Sequence, residues 1–174
     1  MGIEFTDERS ISFLVDENKS IVIFPRSKSD GTSIDAIKGG YYAAYYPIEL
    51  IYPYTAEDLA DKIKQGFNEW DKHECYGNYT GRNTFEEKYY GIKGFKNATK
   101  GKLNLDIICN NRFLGNKVSL LLPAKRGYAY LGIKSVKLAD DADYIDYANA
   151  VINLINTDFT SLKSYKVYKS KLNI

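Results

Sequence analysis

The sequence predicts an α+β fold: an antiparallel β-sheet with about three helices packed against it, within one domain. Three observations lead there. Strand-like runs of alternating or β-branched residues recur near the start and in the second half of the chain, bounded by turn residues. Three other stretches carry apolar residues at helical spacing, two of them behind a capping-box pattern. A length of 174 residues holds one sizeable core and is too short for two well-built ones.

Taken in order, Ile11 to Val15 and Ile21 to Phe24 are short apolar runs separated by Asp16-Glu17-Asn18-Lys19, which predicts a hairpin. Pro25 to Gly40, rich in Ser, Gly and Asp, reads as a loop. Tyr41 to Tyr54 is a long aromatic and β-branched stretch. Pro47 and Pro53 remove ladder donors from it, so it forms an edge strand or two pieces with a bend. Thr55-x-x-Asp58 then opens a helix reaching about Glu74, with Leu59, Ile63, Phe67 and Trp70 on one face. The run YGNYTGRN after Cys75 is a loop.

A second box, Thr84-x-x-Glu87, opens a helix reaching about Lys100, in which Phe85, Tyr89, Ile92 and Phe95 share a face. Gly91 and Gly94 weaken it and imply close contact with a neighbouring backbone. Leu103 to Cys109, Lys117 to Leu122 and Tyr128 to Lys137 follow as a meander joined by NNRFLGN and PAKRG. From Asp143 to Thr157 the period is helical again, with Ile145, Ala148, Ile152 and Ile155 on one face and Tyr144, Tyr147 and Val151 beside it. Asp140, Asp141 and Asp143 stand at that switch, where carboxylates accept hydrogen bonds from free helix N–H groups. The tail from Phe159 carries Lys163, Lys166, Lys169 and Lys171 without an acid and fits either a strand or a helix.

The composition narrows the function classes. With 24 Lys and Arg against 22 Asp and Glu, no whole-molecule field draws the chain to nucleic acid or to a membrane. The opening MGIEFTDERS has no basic region followed by an apolar run, and no apolar stretch is long enough to span a bilayer. The expectation is therefore a cytoplasmic protein with no membrane contact. Cys75 and Cys109 lie in unrelated settings and read as free thiols.

The equipment of catalysis is sparse. His73-Glu74-Cys75 has no second ligand pair, so no metal is expected. No glycine-rich loop joins a strand to a helix as phosphate binding requires. The aspartate cluster could be imagined as a hydrolytic acid and base, but aspartates ahead of a helix are ordinarily caps. The expectation is a protein that is not an enzyme, with no cofactor and no small-molecule substrate.

Charge is segregated instead of abundant. From Leu138 to Asp158 there are five acids and no base, and from Thr55 to Cys75 six acids against three lysines. Two acidic helices on a nearly neutral protein form a face that can steer and hold a basic partner. The contacts expected there are Asp140, Asp141, Asp143 and Asp146, with Glu69, Asp71 and Glu74, and Tyr144 and Tyr76 as aromatic anchors. The competing reading is a nucleic-acid-binding module. It would use Arg82, Lys88, Lys93, Lys96, Lys100 and Lys102, interleaved with Tyr89, Tyr90 and Phe95.

The order EEKYYGIKGFKNATKG, three meander strands, then ADDADYIDYANAVINLI, with IYPYTAEDLADKIKQGF before them, resembles that of bacterial contact-dependent growth inhibition immunity proteins and related polymorphic-toxin immunity proteins. The resemblance lies in spacing and cadence. It implies a small cytoplasmic α+β protein that binds the C-terminal toxin domain of its cognate effector and blocks that domain's active site. It also implies an upstream gene for a large secreted protein with a variable C-terminal domain. No binding residue carries over from it.

Overall fold

The computed structural model describes residues 9–28, 41–43, 47–71, 85–111, 113–123 and 130–172. Eight strands are present among them: β1 (Arg9–Val15), β2 (Ile21–Phe24), β3 (Arg26–Lys28), β4 (Tyr41–Ala43), β5 (Ile48–Leu50), β6 (Leu103–Asn111), β7 (Gly115–Pro123) and β8 (Tyr130–Leu138). The helices are α1 (Ala56–Asp71), α2 (Phe85–Tyr90), α3 (Phe95–Ala98), α4 (Tyr144–Ile155) and α5 (Lys163–Leu172). Six strands form an antiparallel sheet in the order β5-β2-β1-β6-β7-β8, and β3 pairs with β4 apart from it. The α+β architecture and the meander are as the sequence predicts.

One face of the sheet makes the core. Ile11, Phe13, Ile21, Ile23, Leu105, Ile107, Val118 and Leu120 point from it into Leu59, Ile63 and Phe67 of α1 and Tyr147, Ala148, Val151 and Leu154 of α4. Each large aliphatic or phenyl side chain among them, withdrawn from water, contributes roughly 1.5–3 kcal/mol. Phe67 packs on Tyr144 and Tyr147 with ring centroids 6.0 and 6.3 Å away, so the end of α1 meets the start of α4. The two helices therefore run antiparallel. Gly66 permits their close seat on the sheet: a Cβ there would stand 3.1 Å from Ile11 Cδ1.

Strand alternation puts Ser12, Phe24, Glu49, Asp106, Ser119 and Tyr130 on the opposite face. There α2 and α3 lie, with Tyr89 edge-on to Phe24 and Phe95 edge-on to Tyr130. A polar row crosses this face at one register, in which Ser12 donates to Asp106 (3.1 Å) and Ser119 bonds Ser135 (2.9 Å).

Several expectations need correction. Residues 26–28, read as part of a loop, form β3. The aromatic stretch after Gly40 is two pieces, β4 and β5, of which only β5 joins the main sheet, as its edge strand. The helix expected from Thr84 to Lys100 is broken into α2 and α3. Gly91 and Gly94 take φ of 64° and 90°, values that turn the chain and are strained for any residue with a Cβ. A Cβ on Gly91 would meet nothing within 4 Å, so close backbone contact is not its purpose. The buried stripe of α4 is centred on Tyr147, Ala148, Val151 and Leu154, leaving Ile145 and Ile152 half-buried at its flanks.

The tail, undecided between strand and helix, is α5. It covers the first half of edge strand β8, where the Ser164 hydroxyl donates to the Ile133 carbonyl (2.6 Å) and the Tyr168 hydroxyl to that of Pro123 (2.8 Å). The second half of that edge is left beside α4. Among the described residues no helix is long and apolar enough to cross a membrane.

Candidate functional site

The two ends of the sheet are finished differently. At one end the β1–β2 turn is folded in: Tyr54 OH donates to the Lys19 carbonyl (2.9 Å), and Lys19 Nζ donates to Asn156 Oδ1 (2.9 Å) just beyond α4. At the other end the β6–β7 hairpin, the turn between β8 and α4, and the C-terminal turn of α1 come together. This second end carries Asp140, Asp141, Asp143 and Asp146, while Asp16 and Glu17 of the β1–β2 turn and Glu57 and Asp58 of the first turn of α1 stand at the first.

Asp143 is the N-cap of α4, as its position before the helix requires. Its Oδ1 accepts from the N–H groups of Ile145 (3.0 Å) and Asp146 (3.2 Å), and Asp146 Oδ2 accepts from the Asp143 N–H (3.0 Å). The box contributes about 1 kcal/mol. Asp143 and Asp146 are thus exposed but already employed in the fold. Asp140 and Asp141 precede them on a turn closed by Ala142 N–H to the Ala139 carbonyl (3.1 Å), and both are exposed. Glu69 and Asp71 fall in the last turn of α1, which the antiparallel packing brings to the same end. Glu74 and Tyr76 lie outside the described residues, as do His73, Cys75 and Arg82. Tyr144 is half-buried against Phe67, so its ring is spent largely on packing.

What holds the aspartate turn in place is Asn116, which sequence reasoning missed. It is 3% exposed, and its amide makes three hydrogen bonds. Nδ2 donates to the carbonyls of Ala139 (2.8 Å) and Asp140 (3.2 Å), while Oδ1 accepts from the Asn110 N–H (2.9 Å). One side chain thereby fixes the base of the β6–β7 hairpin to the acidic turn. The signal was present in the alternation of β7, where Asn116 occupies the phase of Val118, Leu120 and Leu122.

Beyond the turn, a groove of about 370 Å³ runs between the open half of β8 and α4, with Val136, Leu138, Ala142, Asp146, Asn149 and Asn153 among its lining. In the β6–β7 hairpin the Phe113 and Leu114 N–H groups both donate to Asn111 Oδ1 (2.9 and 2.7 Å). These two apolar residues were read only as part of a connection.

The basic, aromatic region reads differently in three dimensions. Tyr89 donates to Glu49, and burial followed by that hydrogen bond pushes its hydroxyl well above the usual tyrosine range. Tyr90 packs edge-on against Tyr89 and carries Lys102 Nζ 4.1 Å from its ring centroid. Lys102 also donates to the Ala98 carbonyl (3.0 Å). In the core, the buried Tyr147 hydroxyl lies beside the Cys109 thiol, and burial, followed by that thiol, holds it protonated far above its ordinary value. Among the described residues no three His, Cys, Asp or Glu side chains converge as metal ligands.

No protein-family model matches the chain, and no curated protein does. A solved structure of a protein of unknown function from Neisseria meningitidis is similar in fold. It has a TM-score of 0.51 at 14% identity, over 87% of this chain and 96% of that one. At that identity the likeness concerns the fold alone.

Proposed function

We propose that the chain is an immunity protein that binds the C-terminal toxin domain of a cognate contact-dependent growth inhibition or related polymorphic toxin and neutralises it by occluding its active site, without catalysis of its own. The observation that carries this reading is the convergence at one end of the sheet. The exposed Asp140–Asp141 turn and the capped start of α4 meet there, tied to the β6–β7 hairpin by the Asn116 amide, and the last turn of α1 reaches the same end. A rigid acidic surface of this kind speeds encounter with a basic protein and fixes its orientation. Nucleic acid is the weaker reading of the Arg82 to Lys102 region, because Tyr89, Tyr90 and Phe95 present their rings to other rings of the protein. In this reading the protein works in the cytoplasm.

The test is genetic and then physical. The gene immediately upstream should encode a large secreted protein with a variable C-terminal domain, and co-expression of this chain should rescue cells from that domain. The double variant Asp140→Lys, Asp141→Lys should slow association by about tenfold at low salt and by less as salt rises, since it removes steering charge. Absence of rescue by the wild-type chain would sink the reading.

A further inference from the structure

An outermost strand carries a row of N–H and C=O groups with no neighbour to pair, and proteins ordinarily cover such a row or interrupt it. β8 is an outermost strand of the six-stranded sheet, and its first half is both interrupted and covered. A register shift separates the Leu120–Lys134 pair from the Leu121–Gly132 pair, and the Ser164 hydroxyl of α5 donates to the Ile133 carbonyl (2.6 Å). From Ser135 to Leu138 neither device is present among the described residues. There the register against β7 is regular, and no described strand pairs on the outer side.

Beside this open stretch lies α4, and the space between them is the groove of about 370 Å³. Val136, Leu138 and Ala142 give it an apolar floor, while Asp146, Asn149 and Asn153 recur at helical spacing along its wall. Lys134 Nζ donates to Thr157 Oγ1 (3.4 Å) beyond one end, and the exposed Asp140 and Asp141 stand at the other. Each feature narrows the occupant. A free strand edge pairs with extended polypeptide, an apolar floor accepts alternate side chains of it, and carboxamides can both donate to a backbone and accept from it. The open stretch of four residues, about 13 Å, sets its length. Charge sets its sign. From Leu138 to Asp158 there are five acids and no base, and Lys137, the one base among the described lining residues, alternates to the other face of the sheet from Val136. We infer that the groove takes an extended segment of the partner in which apolar residues alternate with Lys or Arg, added to β8 as a further strand. Its apolar side chains rest on Val136 and Leu138, and its cations meet Asp146 and the aspartate turn. This rests on the binding function proposed above and deepens it by naming where the partner's chain is held.

The probe is the purified C-terminal domain encoded by the upstream gene, titrated against the full chain and its variants. In the wild-type complex the outward-facing amides between Ser135 and Leu138 should exchange with solvent at least about tenfold more slowly than in the free chain, read by two-dimensional NMR. Asn149→Arg puts a cation on the exposed wall of the groove and should weaken binding by about 30-fold, with the urea midpoint unmoved. Asn68→Arg, the same change at an exposed position of α1 outside the groove, should weaken it by less than about threefold. Binding without slower exchange at the β8 edge, or binding that survives Asn149→Arg within about twofold, overturns the groove and leaves the immunity reading standing. Slower exchange of the same amides in the isolated chain as its concentration rises also overturns it, because the edge then pairs with a second copy. A domain that the wild-type chain does not bind overturns the immunity reading, and this inference with it.

Discussion

The β1–β2 and β6–β7 turns are clamped alike and present opposite things. Asp16 Oδ1 accepts from the N–H groups of Asn18 and Ser20 (both 2.9 Å), and Asn111 Oδ1 accepts from those of Phe113 and Leu114. Lys19 at φ 66° and Asn110 at φ 55° supply the left-handed residue in each case. The first turn carries Glu17, Asn18 and Lys19, and sends Lys19 back to Asn156 and over the Tyr52 ring (5.8 Å). The second carries Phe113 outward. The difference teaches that turn geometry leaves the choice of exposed side chain open.

Five substitutions test that contrast, from the largest expected effect to the smallest. Asn116→Ala should cost about 2–3 kcal/mol in urea unfolding, since it orphans the Asn110 N–H and two carbonyls beside a buried site. It should also loosen the aspartate turn and hairpin together, visible as faster hydrogen exchange in both. Next, Asp16→Ala and Asn111→Ala should each cost about 1 kcal/mol. Of the two, only Asn111→Ala should speed hydrogen exchange in the β6–β7 hairpin, because only that turn is closed by the Asn111 carboxamide.

Tyr54→Phe should act through pH. Burial first, then the charges of Tyr52 and Asp16, push the Tyr54 hydroxyl up to about 12. A raised value means the folded state favours the protonated form. That stabilisation is fully present below the ordinary value of 10.0 and is lost as pH rises towards about 12. The urea midpoint of the wild type should therefore fall more steeply above about pH 10 than that of the variant. Phe113→Ser should be the mildest, within about 0.5 kcal/mol by thermal unfolding. A larger loss would make the ring a structural element and erase the contrast between the turns.

How much could be read in advance depends on how local the determinant is. The Thr55–Asp58 box bonds as its spacing requires, with Thr55 N–H donating to Asp58 Oδ2 (2.9 Å) and Asp58 N–H to Thr55 Oγ1 (3.1 Å). Asp143 likewise caps α4. Both signals lie within one helical turn. The break between α2 and α3 was missed because glycine in a periodic stretch has two explanations, close approach or positive φ, and only the backbone tells them apart. The tail stayed ambiguous because α5 is a weakly amphipathic helix that owes its place to contacts with β8. At the site, the clustering of Asp140 to Asp146 was legible and the hairpin beside it was not. Exposure is a tertiary property, and a phenylalanine in NNRFLGN looks the same whether it is covered or bare.

One consequence follows from the Asn116 amide. It grips backbone carbonyls and an N–H, never a neighbouring side chain, so the identities at 112–114 and 140–141 are of no concern to it. Those positions can therefore vary while the scaffold stays constant, so the surface at this end of the sheet is uncoupled from the bonds that shape it.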